Sequence, residues 1–216
     1  SWMANVATSV EKLLQEIRNL QRSEIAEVGE WFDAEKQVGS STMAHKRNPI
    51  TAENACGLAR IVRSFIIPSY ENALLWHERD LANSSAERFT LSHSAILLDD
   101  VLAKCDRVMG KCVVDSDNMH ANIERQNGLV MAEKVMIELV DAGIPREEAH
   151  EILRSASMDC ISNGRHLRDV CREVDAIASR FDNDQLEAMF NPANHIGLSA
   201  ELVDEAVATT RKQLSR

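Results

Sequence analysis

Aromatic residues make up only 4% of the 216-residue sequence, which also holds just 8 glycines and 4 prolines. A chain this poor in aromatic side chains and turn formers, with Ala, Leu, Glu and Arg recurring throughout, argues against sheets and for helices. The five cysteines, Cys56, Cys105, Cys112, Cys160 and Cys171, are odd in number and contain no CxxC pair. Neither a disulfide framework nor a zinc site is indicated, and the reducing cytoplasm is the expected compartment. No apolar run is long enough to cross a bilayer and no leader pattern opens the sequence, so no membrane partner is expected. Lys and Arg never form a block, and the formal net charge is -10. Phosphate backbones would be repelled, which argues against nucleic acid as a partner. An anionic small molecule stays compatible, because a pocket can gather a few cations within an acidic protein.

What is present is helical periodicity. Val10, Leu13, Leu14, Ile17 and Leu20 form one apolar stripe, with Glu11, Lys12, Glu16 and Arg18 elsewhere on the cylinder. The period is lost from Gly29 to Asn48, where Gly39, Ser40, Ser41 and Asn48-Pro49 point to a substantial loop. Helical spacing resumes from Ala52 to about Ile67; Pro68 should kink or end that helix, and a second run is expected to reach Trp76. From Ser85 to Val113 the apolar positions continue without a breaker until Gly110, predicting a helix on the order of 40 Å long at 1.5 Å per residue. Shorter helices follow: Leu129 to Val140, Arg146 to Ser162 after Gly143 and Pro145, Leu167 to Val174, one capped by Asp182 with Gln185 three residues on, and one after Ser199. The expected fold is all-α, a long-helix bundle segment over 1–142 followed by a small helical domain over 143–216.

Chemistry concentrates in Gly39-Ser40-Ser41-Thr42-Met43-Ala44-His45-Lys46-Arg47-Asn48-Pro49. Taken alone, Ser, Gly and Asn make a polar turn-rich loop. Together, the segment over 37–50 resembles the GSSxMPxKxNP signature loop of the fumarase and aspartase superfamily, departing from it at Ala44, where the family usually has Pro. The resemblance implies removal of a weakly acidic proton beside a carboxylate, with stabilisation of the resulting carbanion as the main task. A serine acts as base only where amides and a cation favour its alkoxide. By the motif, Ser40 is the candidate base, Lys46 stabilises the oxyanion or substrate carboxylate, Glu53 orients Lys46, and Ser41 and Asn48 bind substrate.

A second block, Trp76-His77-Glu78-Arg79-Asp80 followed by Ser84-Ser85-Ala86-Glu87-Arg88, is similar to the corresponding block of adenylosuccinate lyases. Read without that family, Arg79 and Arg88 would pair with Glu78, Asp80 or Glu87 at the surface. With it, Arg79, Ser84 and Arg88 are expected around a nucleotide phosphate, because guanidinium forks and a hydroxyl suit a dianion. The resemblance extends through Glu16 to Arg22 and Gly143 to Ala149. It implies a carbon–nitrogen lyase that eliminates fumarate from a succinylated purine nucleotide, needs no metal or organic cofactor, and assembles as a homotetramer with composite active sites. It further places an N-terminal domain, and the general-acid histidine, outside this sequence, so the chain alone is expected to be inactive or nearly so. His45 and His77 adjoin candidate site residues, but neither matches the family's acid. The competing readings are a carboxymuconate cycloisomerase, whose substrate lacks phosphate, and a non-catalytic helical oligomerisation module.

Overall fold

The computed structural model describes residues 1–32 and 47–215. Its elements are helices, apart from a ladder of two residues per strand, and they fall into two compact units, Ser1–His120 and Ala121–Arg216. The all-α expectation holds. The division lies about twenty residues before the 142/143 boundary expected from Gly143, and α6 below shows why.

In the first unit, α1 (Trp2–Leu20), α2 (Ile50–Ser64) and α4 (Ala82–Lys111) pack side by side, with α3 (Ile66–Glu71) against α4. The α1 seam is narrower than its apolar stripe: Ala4, Ala7, Leu14 and Ile17 are buried, whereas Leu13 is exposed. Ala7 meets Ala59 and Val62, while Leu14 and Ile17 meet Ala52, Ala55, Cys56 and Val108. Small alanines on both helices allow the axes to approach closely. The start of α1 lines a crevice with Val62, Phe65, Thr90 and Ser94, and its end, Gln21, reaches Arg47. The bundle therefore runs α1 up, α2 down and α4 up. Proline acts as expected in kind but not in place: α2 stops at Ser64, Phe65 forms the break, and Pro68 sits in the first turn of α3, where its missing amide is harmless. The helix ends at Glu71, and residues 72 and 73 form a turn, so the run does not reach Trp76.

After α1 the chain turns into β1 (Val28–Gly29), which pairs antiparallel with β2 (Val113–Val114) just after α4. The side-chain amide of Asn118 in α5 (Ser116–Glu124) donates to the carbonyls of Ile25 and Ala26 at 2.7 and 3.0 Å, tying that turn down.

The second unit is built on α6 (Ala132–Asp141), α7 (Arg146–Asn163), α8 (Leu167–Glu173), α9 (Asp175–Ala178) and α10 (Asn183–Phe190). Val135 and Leu139 of α6 share one core with Ile144, Leu153, Val170, Ile177, Leu186 and Phe190, so α6 belongs to this unit. Its helix ends follow local chemistry. Gly143 and Gly164 take positive φ after α6 and α7, and Asp182 with Gln185 forms a complete capping box. The last helix, α11 (Ser199–Leu214), buries no residue. Among the described residues, no helix is long and apolar enough to cross a membrane.

Candidate active site

The chain on either side of residues 33–46 is fixed by side chains that directly follow α1 and β1. Gln21, just past α1, accepts from the Glu30 amide at 2.8 Å and donates to the Arg47 carbonyl at 3.3 Å. The Glu30 carboxylate accepts from the Thr51 amide at 3.2 and 3.1 Å and from Ala52 at 3.1 Å. It thereby satisfies first-turn donors of α2 with a negative charge at the positive end of the helix. The Arg47 guanidinium lies 5.1 Å from the Phe32 ring centre.

Beside these contacts lies a cavity of about 770 Å³, lined by Arg18, Asn19, Arg22, Arg47, Asn48 and Glu53 with their neighbours. That is within the usual range for small-molecule sites. Arg18 donates to Gln15 Oε1 at 2.7 Å, and its buried Nε has no partner among the described residues; Arg22 donates to the Asn19 carbonyl at 3.3 Å. Three guanidiniums thus face one cavity held by an amide, a carbonyl and a ring, with no carboxylate ion pair among the described residues. Such an arrangement can neutralise a ligand carboxylate or phosphate.

Of the residues expected from sequence, Asn48 and Glu53 line this cavity, separated by the start of α2. Ser40, Ser41 and Lys46, with Ala44 and His45, lie outside the described residues. Arg79 stands three residues before α4, and Ser84 and Arg88 lie in its first two turns. Asp80 shapes that corner, accepting from the Trp76 amide at 2.9 Å and the Ala82 amide at 2.7 Å. These amide bonds hold its carboxyl below the usual aspartate range. Glu87 accepts from Asn83 at 3.0 Å. Asp80 and Glu87, two of the three carboxylates that could have paired with Arg79 and Arg88, therefore accept from other donors. Ser84 is half-buried and Arg88 exposed, one turn apart on the same helix.

Within one chain, Asn48 and Glu53 do not meet Ser84 and Arg88. Val108 of α4 packs in the cluster with Ile17 and Ala52, next to the cavity, while Arg88 is twenty residues earlier on that helix. The separation along α4 is about 30 Å. Gln21, Glu30, Arg18 and Arg22 were not singled out by the sequence reading. Arg18, Gln21 and Arg22 fall within the resemblance over Glu16 to Arg22, which assigns no roles, and Glu30 lies beyond it.

The described residues form a helical bundle with a cationic cavity at one end, and comparison with known proteins gives the family. Residues 1–63 match the family model described as "Lyase", and residues 128–206 that described as "Adenylosuccinate lyase C-terminus". The chain is 46% identical to the adenylosuccinate lyase of Archaeoglobus fulgidus over 206 residues, covering 95% of this chain and 46% of that protein. It is 45% identical to that of Methanothermobacter thermautotrophicus over 212 residues, covering 98% and 47%. Among solved structures, the 3-carboxy-cis,cis-muconate lactonizing enzyme of Pseudomonas putida superposes with a TM-score of 0.86 at 28% identity, over 97% of this chain and 46% of that one. A fumarate lyase from Mesorhizobium sp. shares the fold, with a TM-score of 0.82 at 24% identity over 95% and 45% of the two chains. The chain belongs to the adenylosuccinate lyase family. It spans about half the length of the curated relatives it matches.

Proposed function

We propose that the protein carrying this chain eliminates fumarate from adenylosuccinate, leaving AMP, and likewise from the succinylated imidazole-carboxamide ribotide of purine biosynthesis. The reading rests on the 41–46% identity to adenylosuccinate lyases across 95–98% of the chain. In the reaction a base takes the proton beside a succinyl carboxylate, and that carboxylate absorbs the electron pair. The pair then forms the double bond of fumarate as the carbon–nitrogen bond breaks, and an acid protonates the departing amine. Ser40 is the proposed base, with Lys46 stabilising the extra charge and Glu53 orienting Lys46. Asn48 and Ser41 hold the substrate carboxylate, and Arg79, Ser84 and Arg88 hold the phosphate.

One nucleotide cannot reach both ends of a bundle about 30 Å apart. The reading therefore includes a homotetramer in which different copies supply the two sets to one site. The outward face of α4 supports this: Phe89 and Ile96 are 64% and 67% exposed, while Thr90 and Ser94 beside them are 4% and 7% exposed. A helix that turns large apolar groups outward has a second face to cover.

The test is cleavage of adenylosuccinate by the full-length protein, followed by loss of its purine absorbance. Ser40→Ala is expected to abolish most turnover with binding retained, and Arg88→Ala to act mainly on KM. Equal, small effects would overturn both roles. The cycloisomerase alternative has the 28% identity to the muconate lactonizing enzyme in its favour, below the figure for the lyases. It gains if a phosphate-free substrate is turned over and AMP does not bind.

A further inference from the structure

We propose that Gln21 and Glu30 are positioning residues of the candidate site: they pin the chain on both sides of residues 33–46 and so set where Asn48 and Glu53 stand. The inference rests on the lyase reading and adds two residues to it. Gln21 follows directly on α1, which Leu14 and Ile17 anchor in the core. Its single amide group spans both sides, accepting from Glu30 on one and donating to Arg47 on the other. Glu30 in turn carries the start of α2. The cap residue there is Pro49, which makes no side-chain cap bond, so the amides of Thr51 and Ala52 receive their acceptor from a carboxylate 21 residues upstream. An ordinary cap is local and stabilises its own helix. This one ties the first turn of α2 to the strand-bearing turn after α1. Asn48 lies two residues before that turn and Glu53 within it, so both inherit its placement. A displacement near 1 Å at a reacting group costs on the order of 10²-fold in rate.

The experiment uses the full-length protein and the variants Gln21→Met, Glu30→Ala and Glu30→Gln, assayed on adenylosuccinate well below their unfolding temperatures. Gln21→Met keeps the length of the side chain and removes donor and acceptor; Glu30→Gln keeps one oxygen acceptor. We expect kcat to fall by about tenfold to a hundredfold in Gln21→Met and Glu30→Ala, and by less in Glu30→Gln, with KM moving less than about threefold. Hydrogen exchange at the Thr51 and Ala52 amides should accelerate in both Glu30 variants. Asp182→Ala, which removes a local cap in α10, should lower stability and leave kcat unchanged. A kcat per folded molecule within about twofold of wild type in both Gln21→Met and Glu30→Gln would overturn the proposal. So would unaltered exchange at Thr51 and Ala52 in Glu30→Gln, the variant least disturbing to folding. If the wild-type protein fails to cleave adenylosuccinate, the lyase reading falls, and the exchange measurement still decides the clamp.

Discussion

Cys171 shows how burial changes a residue that composition could only count. Its thiol is fully buried in the core of the second unit, and desolvation, with a smaller contribution from Cys160, pushes it up to about 12 from an ordinary 9.0. The thiolate is the form that burial penalises. Through this group, stability is complete below the unfolded value and falls as pH rises towards the folded one, because in that window the unfolded chain has released a proton that the native chain keeps. Denaturation midpoints measured from about pH 9 to 12 should therefore decline, and Cys171→Val should flatten the decline. Below pH 9 the native thiol should resist alkylation while the half-buried Cys112 reacts. At the same scale, Asn48 and Glu53 were legible as site candidates because a motif named them. Gln21 and Glu30 were not, since their partners are backbone groups brought close only by the return of α2 onto α1.

Elements whose ends are closed by neighbouring residues were readable in advance. The capping box of α10 and the starts of α7 and α8 stand where Asp182, Pro145 and Leu167 place them. Ends closed by distant groups were not, and α8 has one such contact behind it. Its cap His166 accepts from the Arg168 amide through Nδ1 at 3.1 Å, so Nε2 carries the proton that faces Glu124 at 3.3 Å. The ring, edge-on to Phe190, lies against Gly128, whose φ is +76° and where a Cβ would stand 2.5 Å from the imidazole. Both the backbone and the space demand glycine there. Gly128→Ala should cost roughly 1 to 3 kcal/mol, read as a shift in urea midpoint at unchanged slope. An unshifted midpoint would mean that the His166 ring moves aside freely. The break at Phe65, three residues before Pro68, has the same lesson in local form: proline was placed in the helix start and not at the stop.

For the whole molecule, α4 is the helix with two differently used faces. It buries Leu98, Val101 and Val108 towards α1 and α2 and leaves Phe89 and Ile96 outward. The continuous stripe expected from its sequence is in fact two faces, of which the described residues cover one. On the proposed tetramer with sites shared between copies, Ile96→Lys in the full-length protein should shift sedimentation towards smaller species and lower turnover with it. Intact tetramer with full activity would separate α4 from assembly. Sequence by itself determined the helical class, most helix limits and the family, because periodicity, caps and contiguous motifs are local properties written along the chain. Tertiary structure decided that α6 joins the second unit, that Gln21 and Glu30 hold the start of α2, and that the phosphate-binding candidates stand at the far end of the bundle from Asn48 and Glu53. Each of these depends on which helix faces pack and in which direction the helices run, and that is settled only when distant segments compete to bury the same surface.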